Sequence, residues 1–331
     1  MTNQTISEAI SAYLAGVASA RKEHTARTYT NALNIFSAVL KERWLDPETS
    51  PVEKLTEDAI TWLAAHLKVY SSATETLYIT AVKGFYEYLS AEKLADINLP
   101  RLRLLIKQRT RKPGIRLPQF PSDDIERLLT HISDPATIPV FSGDDSTILR
   151  LRETRDRAFM LTLADTGLRV HEACALRRGD IDWNEGRAVI IGKGDKQAVV
   201  RFSSRSMKAL KDYLSLRASL DGGSGRPLPS LPLFARHDKG AGKKIKPITT
   251  TTGRNIVTER VREILGKDSV GKITPHSFRH YFVTAILRGS GNLKLAQELA
   301  RHSNIQVTQR YAHLSDDELD RGYYEIFERN K

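Results

Sequence analysis

Cysteine is nearly absent from this chain. Its single one, Cys174, excludes an internal disulfide and any thiolate metal cage. Cys174 lies in an apolar-periodic stretch and reads as a small buried hydrophobe. Long apolar runs are missing as well: none approaches the roughly 20 residues needed to span a bilayer. The opening Met1-Thr2-Asn3-Gln4 lacks the basic start and apolar core of a signal peptide. Together these features predict an intracellular, reducing compartment, hence a cytoplasmic protein. Several catalytic signatures are missing too. There is no Gly-x-x-x-x-Gly-Lys loop for an ATP-driven motor and no Gly-x-Ser-x-Gly for an acyl hydrolase. His276 and His280 have an i, i+4 spacing, but neither a Glu between them nor a second cysteine supports a zinc site.

What the chain has in excess is positive charge. It carries a net charge of +12 over 331 residues. That length suffices for two domains, each with its own core. The charge suggests a polyanionic partner, nucleic acid first, with an anionic membrane surface as competitor.

Hydrophobic periodicity divides the chain into two parts. Residues 1–106 read as helices only: Ile6, Ile10, Leu14 and Val17 follow a helical period, as do Tyr29, Leu33, Phe36 and Leu40. Thr56-Glu57-Asp58 opens a third helix with acids in its first turn. Ser72 with Glu75 reads as a capping box. The expectation is a compact helical bundle. Arg101, Arg103, Lys107, Arg109, Arg111, Lys112 and Arg116 follow without an intervening acid. Pro113-Gly114 and Pro118 break helices, so residues 107–120 are expected to form an exposed basic linker. Such a run is either simply solvated or lies on phosphates; the second reading is adopted.

Residues 121–331 form the second part. Ser122-Asp123-Asp124 is expected to cap a helix carrying Ile125, Leu128 and Leu129. A polar insertion runs from Ser133 to Thr147, and Arg155 to Leu163 is helical. A Gly-marked break precedes Arg169. The period then changes to two: Ala188 to Ile191 and Ala198 to Val200 are strands around the hairpin tip Gly192-Lys193-Gly194-Asp195-Lys196. Ser203 to Leu220 and Thr252 to Leu265 return to helix. Thr274-Pro275 is an N-cap followed by Pro at the first helical position. It places His276, Arg279 and His280 in or near the first turn, where an anion is favoured. Gly289-Ser290-Gly291 ends that helix, and Asn292 caps the next. Ser303 with Gln306 reads as a capping box, with His302 at the junction and Tyr311 about two turns along. Residues 315–329 form a terminal amphipathic helix with Leu319, Tyr323, Ile326 and Phe327 on one face. The fold class is mainly α with a small antiparallel β-sheet.

Arg169, Lys193, His276, Arg279, His302 and Tyr311 each have an ordinary reading: a surface ion pair, a solvated turn, junction histidines, a core aromatic. Together they suit one chemistry. Two arginines can bracket a phosphodiester and stabilise its pentavalent transition state. A tyrosine can attack the phosphorus and hold it as an ester, and a lysine on a hairpin can protonate the leaving oxygen.

The sequence resembles the tyrosine recombinases, the integrase family that includes phage integrases and the Xer recombinases. Thr166-Gly167-Leu168-Arg169-Val170-His171-Glu172 matches the first family box. Gly192-Lys193-Gly194-Asp195-Lys196 matches the catalytic-lysine hairpin, and His276-Ser277-Phe278-Arg279-His280 matches the His-x-x-Arg-His box. His302 followed by Tyr311 keeps the family spacing. These boxes span roughly residues 155 to 314. One departure is visible: the family usually has Leu-Gly-His where this chain has Ala300-Arg301-His302.

The resemblance implies a helical core-binding domain and an α+β catalytic domain clamping a duplex. It implies that Tyr311 forms a 3′-phosphotyrosine, that Arg169 and Arg279 stabilise the transition state, and that His276 and His302 bond phosphate oxygens. Lys193 is then the general acid, with Glu172 and His280 supporting the site. No cofactor or metal is implied. The implied partners are double-stranded DNA bearing a recombination site and other copies of the chain, as a tetramer on two duplexes. Contacts from Arg101 to Arg116 and from Arg301 to phosphates are expected. The alternatives are a type IB topoisomerase-like strand-passage enzyme and a DNA-binding accessory protein with a decayed site.

Overall fold

The computed structural model describes residues 4–111, 121–143, 145–191, 197–238, 244–302 and 304–309. The chain divides into two compact units, Met1–Arg116 and Leu117–Lys331. Among the described residues no helix is long and apolar enough to cross a membrane.

The first unit is a bundle of α1 (Ile6–Ala20), α2 (Glu23–Glu42), α3 (Ala59–His66), α4 (Ser72–Ala91) and α5 (Leu99–Arg109). Its core holds Ile6, Leu33, Phe36, Leu40, Leu63, Phe85 and Leu89, all fully buried. These are the apolar-periodic positions of the helices, each turning one stripe inward. Thr5 and Glu8 close a reciprocal capping box on α1. On α4 the cap is Ser71, whose side chain accepts the Thr74 N–H. Ser72, expected in that role, is already helical. Glu75 serves elsewhere. It is buried, accepts the Arg111 N–H at 2.9 Å, and pairs with the Arg111 guanidinium and with Lys68.

The basic run differs from expectation. Arg101 to Arg109 belong to α5, capped by Asn98, with Pro100 in its first turn and Leu102 fully buried. Leu102, Leu105 and Ile106 carry a helical period through the charges and pack on the bundle. Nor do all seven cations lack a counter-charge. Arg101 donates to Glu57 at 2.7 Å and to Asp58 at 2.6 Å. Arg103 lies 3.8 Å from Glu87. Lys107 and Arg109 are exposed. Lys112 and Arg116 lie outside the described residues.

The second unit is built around α7 (Ser146–Thr166), which is buried on nearly every side from Leu151 onward. It starts well before the expected Arg155. α6 (Ser122–Ser133) packs against it; Ser122 is its first residue and makes no side-chain cap. Charged residues of α7 are buried in pairs, Arg157 with Glu153 at 2.6 Å and Arg155 with Asp156 at 2.6 Å. Arg260 reaches both acids from α11 (Thr250–Leu265). A short helix α8 (Val170–Ala175) leads to a three-stranded antiparallel sheet, β1 (Ile181–Asp182), β2 (Arg187–Ile191) and β3 (Gln197–Arg201), in that order. Val189 pairs with Val199, and Ala188, Ile190 and Val200 face the core. The tip, residues 192–196, lies outside the described residues. α9 (Ser204–Leu216) and α10 (Ala218–Gly222) follow, and Asp165 at the end of α7 holds Ser203 and Arg205. The chain then runs through α12 (Pro275–Ser290), α13 (Leu293–Ala300) and α14 (Ile305–Gln309).

Candidate active site

Gly167 sets the first wall. It caps α7 with φ of +60°, a conformation that suits glycine. A side chain there would also collide with the Phe282 ring, 2.4 Å from where its Cβ would stand. The turn buries Leu168 and delivers Arg169 as the residue preceding α8. Glu172 holds Arg169 twice, accepting its backbone N–H at 2.8 Å and its Nη1 at 2.9 Å.

The second wall is α12. Thr274 precedes it, Pro275 opens it, and the Thr274 N–H donates to Ser277 Oγ at 3.0 Å. This arrangement leaves His276 exposed in the first turn and Arg279 buried. Arg279 forks, donating one terminal nitrogen to Gly167 O and the other to Ala300 O. It therefore ties the Arg169 turn to the end of α13. His280 stands edge-on to His276, ring centres 4.3 Å apart.

The third wall is the junction after α13, which Asn292 caps by accepting the Leu295 N–H. Arg301 leaves the helix in the left-handed region. The His302 N–H donates to Gln297 O at 3.1 Å, and Gln297 Nε2 donates to His302 O at 3.0 Å. His302 Nδ1 lies 2.9 Å from Thr308 Oγ1, on α14. Asn304 Oδ1 accepts the Gln306 N–H at 2.9 Å. Ser303, expected to cap that helix, lies outside the described residues, as do Lys193, Tyr311 and residues 315–329.

Positive charge dominates this cleft. Burial and the nearby arginines push the His302 ring down to about 4. Burial, His276 and Arg279 do the same to His280, also to about 4. Partial desolvation of its ring against the protein, then Arg279 and Arg169, lower His276 as well. Burial would raise the Glu172 carboxyl, but the Arg169 N–H, Arg301 and the Arg169 side chain together hold it below the usual carboxylate range. The histidines are thus neutral near pH 7 and Glu172 is charged. A cavity of about 430 Å³ opens here, lined by Arg169, His171, Arg254, His276 and Arg279 among others. Such a cleft can bind an oxyanion with the positive charge of Arg169 and Arg279 and the neutral His276 imidazole, with His302 close by.

Four of the six residues singled out from the sequence are therefore described: Arg169, His276 and Arg279 line the cavity, and His302 lies near enough for the charge of all three to act on its ring. Arg301, expected to reach a phosphate, instead turns inward, donating to Glu172 Oε2 at 3.1 Å. Its side chain is only 12% exposed, because an acid at 3.1 Å and a carbonyl at 3.3 Å draw it under the turn. Thr308 and the two carbonyl acceptors of Arg279 have no sequence signal that separates them from ordinary residues.

Residues 120–318 match the model of the phage integrase family, and residues 10–93 match the phage integrase N-terminal SAM-like domain. The chain belongs to the phage integrase family. The tyrosine recombinase XerC of Bacillus subtilis (strain 168) is 29% identical over 305 residues, covering 91% of this chain and 89% of that protein. XerC of Mycobacterium sp. (strain JLS) is 30% identical over 325 residues, covering 94% and 95%. Among solved structures, the Tn1549 transposon integrase in complex with transposon right end DNA aligns with a TM-score of 0.66 at 17% identity, covering 98% of this chain and 100% of that one. XerH site-specific recombinase bound to difH substrate aligns with a TM-score of 0.64 at 21% identity, covering 90% and 78%. At these identities the structural likeness speaks to the fold. The integrase-family fold is the expected one: mainly helical, with an N-terminal helical domain and a catalytic domain carrying a small antiparallel sheet.

Proposed function

We propose that this chain is a site-specific DNA recombinase that cuts and rejoins DNA through a 3′-phosphotyrosine at Tyr311. The observation that carries the reading is the fork of Arg279. It fastens the Arg169 turn and the His302 junction to one side chain, so that residues from three separate boxes converge on one cationic cleft. A scissile phosphate fits that cleft. Arg169 and Arg279 stabilise the charge of the pentavalent transition state. His276 and His302 bond its non-bridging oxygens and assist proton transfer.

Tyr311 attacks phosphorus, the P–O5′ bond breaks, and Lys193 protonates the departing 5′ oxygen. The 5′-hydroxyl of a second strand then attacks the phosphotyrosine and releases the phenol. The ester conserves the bond energy, so the cycle calls for neither a nucleotide nor a metal. Strand exchange between duplexes needs several active sites, which favours a tetramer on two DNA segments. The exposed Lys107 and Arg109 are suited to flanking phosphates.

Integration, excision and resolution share this chemistry. A supercoiled plasmid bearing two copies of the site, incubated without nucleotide or metal, tests the reading. Deletion or inversion between the copies is the expected product. Relaxation without exchange would favour a topoisomerase instead, and salt-sensitive binding without cleavage would favour an accessory protein.

A further inference from the structure

Arg301 is unusual on three counts. It is one of three non-glycine residues with positive φ among those described, at φ 57° and ψ 44°. That region disfavours a Cβ and suits glycine. Its side chain is largely covered, and that partial burial opposes its charge. Its Nη1 is buried without a hydrogen-bond partner among the described residues. A long cation in a strained, largely covered position persists only where its surroundings hold it. Those surroundings are specific: Arg301 Nη2 donates to Glu172 Oε2 and to Gly167 O.

Both acceptors already serve the cleft. Glu172 orients Arg169, and Gly167 O accepts from Arg279. We infer that Arg301 is a positioning residue: it locks the His302 junction to the Arg169 turn through Glu172 and Gly167 O. The inference rests on reading the cleft as a DNA-cleaving site. It differs from a phosphate contact, because Arg301 acts through Glu172 and the backbone rather than on the DNA. Glu172 would thereby neutralise two guanidinium groups held close together, fixing Arg169 in one orientation. The neighbouring His302 would be held in register with it, since Arg301 is the preceding residue.

Arg301→Gly tests this without disturbing the backbone, because glycine adopts the turn freely. Arg301→Lys keeps a charge and its donors, but its compact ammonium lacks the planar guanidinium that lies between Glu172 Oε2 and Gly167 O. Three readouts are compared with wild type: cleavage rate at saturating DNA, DNA affinity as a function of salt, and titration of the Glu172 carboxyl by NMR without DNA. Arg301→Gly should cut about tenfold or more slowly, with affinity within about twofold and an unchanged salt slope. The Glu172 carboxyl should titrate higher in Arg301→Gly, and Arg301→Lys should restore part of both effects.

An unchanged rate in Arg301→Gly would overturn the inference. So would a weaker affinity with a salt slope reduced by about one, the mark of a lost phosphate contact. Absence of cleavage by wild type would count against the recombinase reading instead. The Glu172 titration would then still decide the Arg301 linkage, and an unmoved carboxyl would overturn it.

Discussion

His302 Nδ1 lies 2.9 Å from Thr308 Oγ1, and Thr308 is fully buried. This bond commits one ring nitrogen to the protein, so in the proposed reaction Nε2 is the nitrogen left to serve a phosphate oxygen. It also couples the ring to α14, the element that leads toward Tyr311. Thr308→Val should therefore slow cleavage about fivefold, the worth of one neutral hydrogen bond of ~1 kcal/mol. Thr308→Ser should retain most of the rate. Single-turnover cleavage at saturating DNA measures both, and an unaffected valine variant would leave Thr308 without a part in cleavage.

Arg279 is a second structural pivot as well as a charge. Arg279→Lys keeps the charge but lacks the planar group that serves Gly167 O and Ala300 O together; Gly167 O keeps its bond from Arg301, so Ala300 O is the carbonyl left short. An unpaired buried carbonyl costs about 1–3 kcal/mol. Urea unfolding should show a loss of that order. Cleavage should fall by about a hundredfold or more, because the Arg169 turn and the His302 junction lose their common tie.

Acid should destabilise the protein in a defined window. Burial first, then neighbouring cations, hold His280 and His302 down to about 4, against an ordinary histidine near ~6.5. Between those values the unfolded chain binds more protons than the folded one. Stability is then complete above ~6.5 and is lost as pH falls toward about 4. Glu172, held below its ordinary value, adds a loss of the same sign at still lower pH. Urea midpoints of the full chain from pH 7 to 4.5 should fall, and His280→Gln should flatten the slope.

The cations of the first unit should separate into two classes. Arg101 and Arg111 are engaged with Glu57, Asp58 and Glu75. Arg111→Ala strips partners from a buried carboxylate, so it should lower stability with little change in the salt dependence of DNA binding. Lys107→Ala and Arg109→Ala should do the reverse, each reducing the salt slope by about one. Thermal melts and binding isotherms at several salt concentrations distinguish the classes.

The positions of Arg169, His276, Arg279 and His302 are legible in the sequence because each lies at a locally marked boundary. Gly167 forces a turn, Thr274-Pro275 opens a helix, and Asn292 caps the one that carries the His302 junction. α5 is obscured because charges hide the apolar period of Leu102, Leu105 and Ile106. The cap of α4 is displaced by one residue because Ser71 and Ser72 are equally good caps, and only backbone geometry chooses between them. Arg301 and Thr308 depend on partners distant in sequence or on side-chain direction. Glu172 lies 129 residues from Arg301, and no periodicity reports such a pair.

The proposed chemistry stands or falls on whether Tyr311 becomes covalently joined to DNA. Wild type and Tyr311→Phe would be incubated with nicked DNA fragments from around the gene, without metal or nucleotide, then run on a denaturing gel. The expected result is a denaturation-resistant adduct with wild type and none with Tyr311→Phe, while both bind DNA equally. Peptide mass spectrometry should place the nucleotide on Tyr311. An adduct that persists in Tyr311→Phe, or one mapped to another residue, would contradict the assignment.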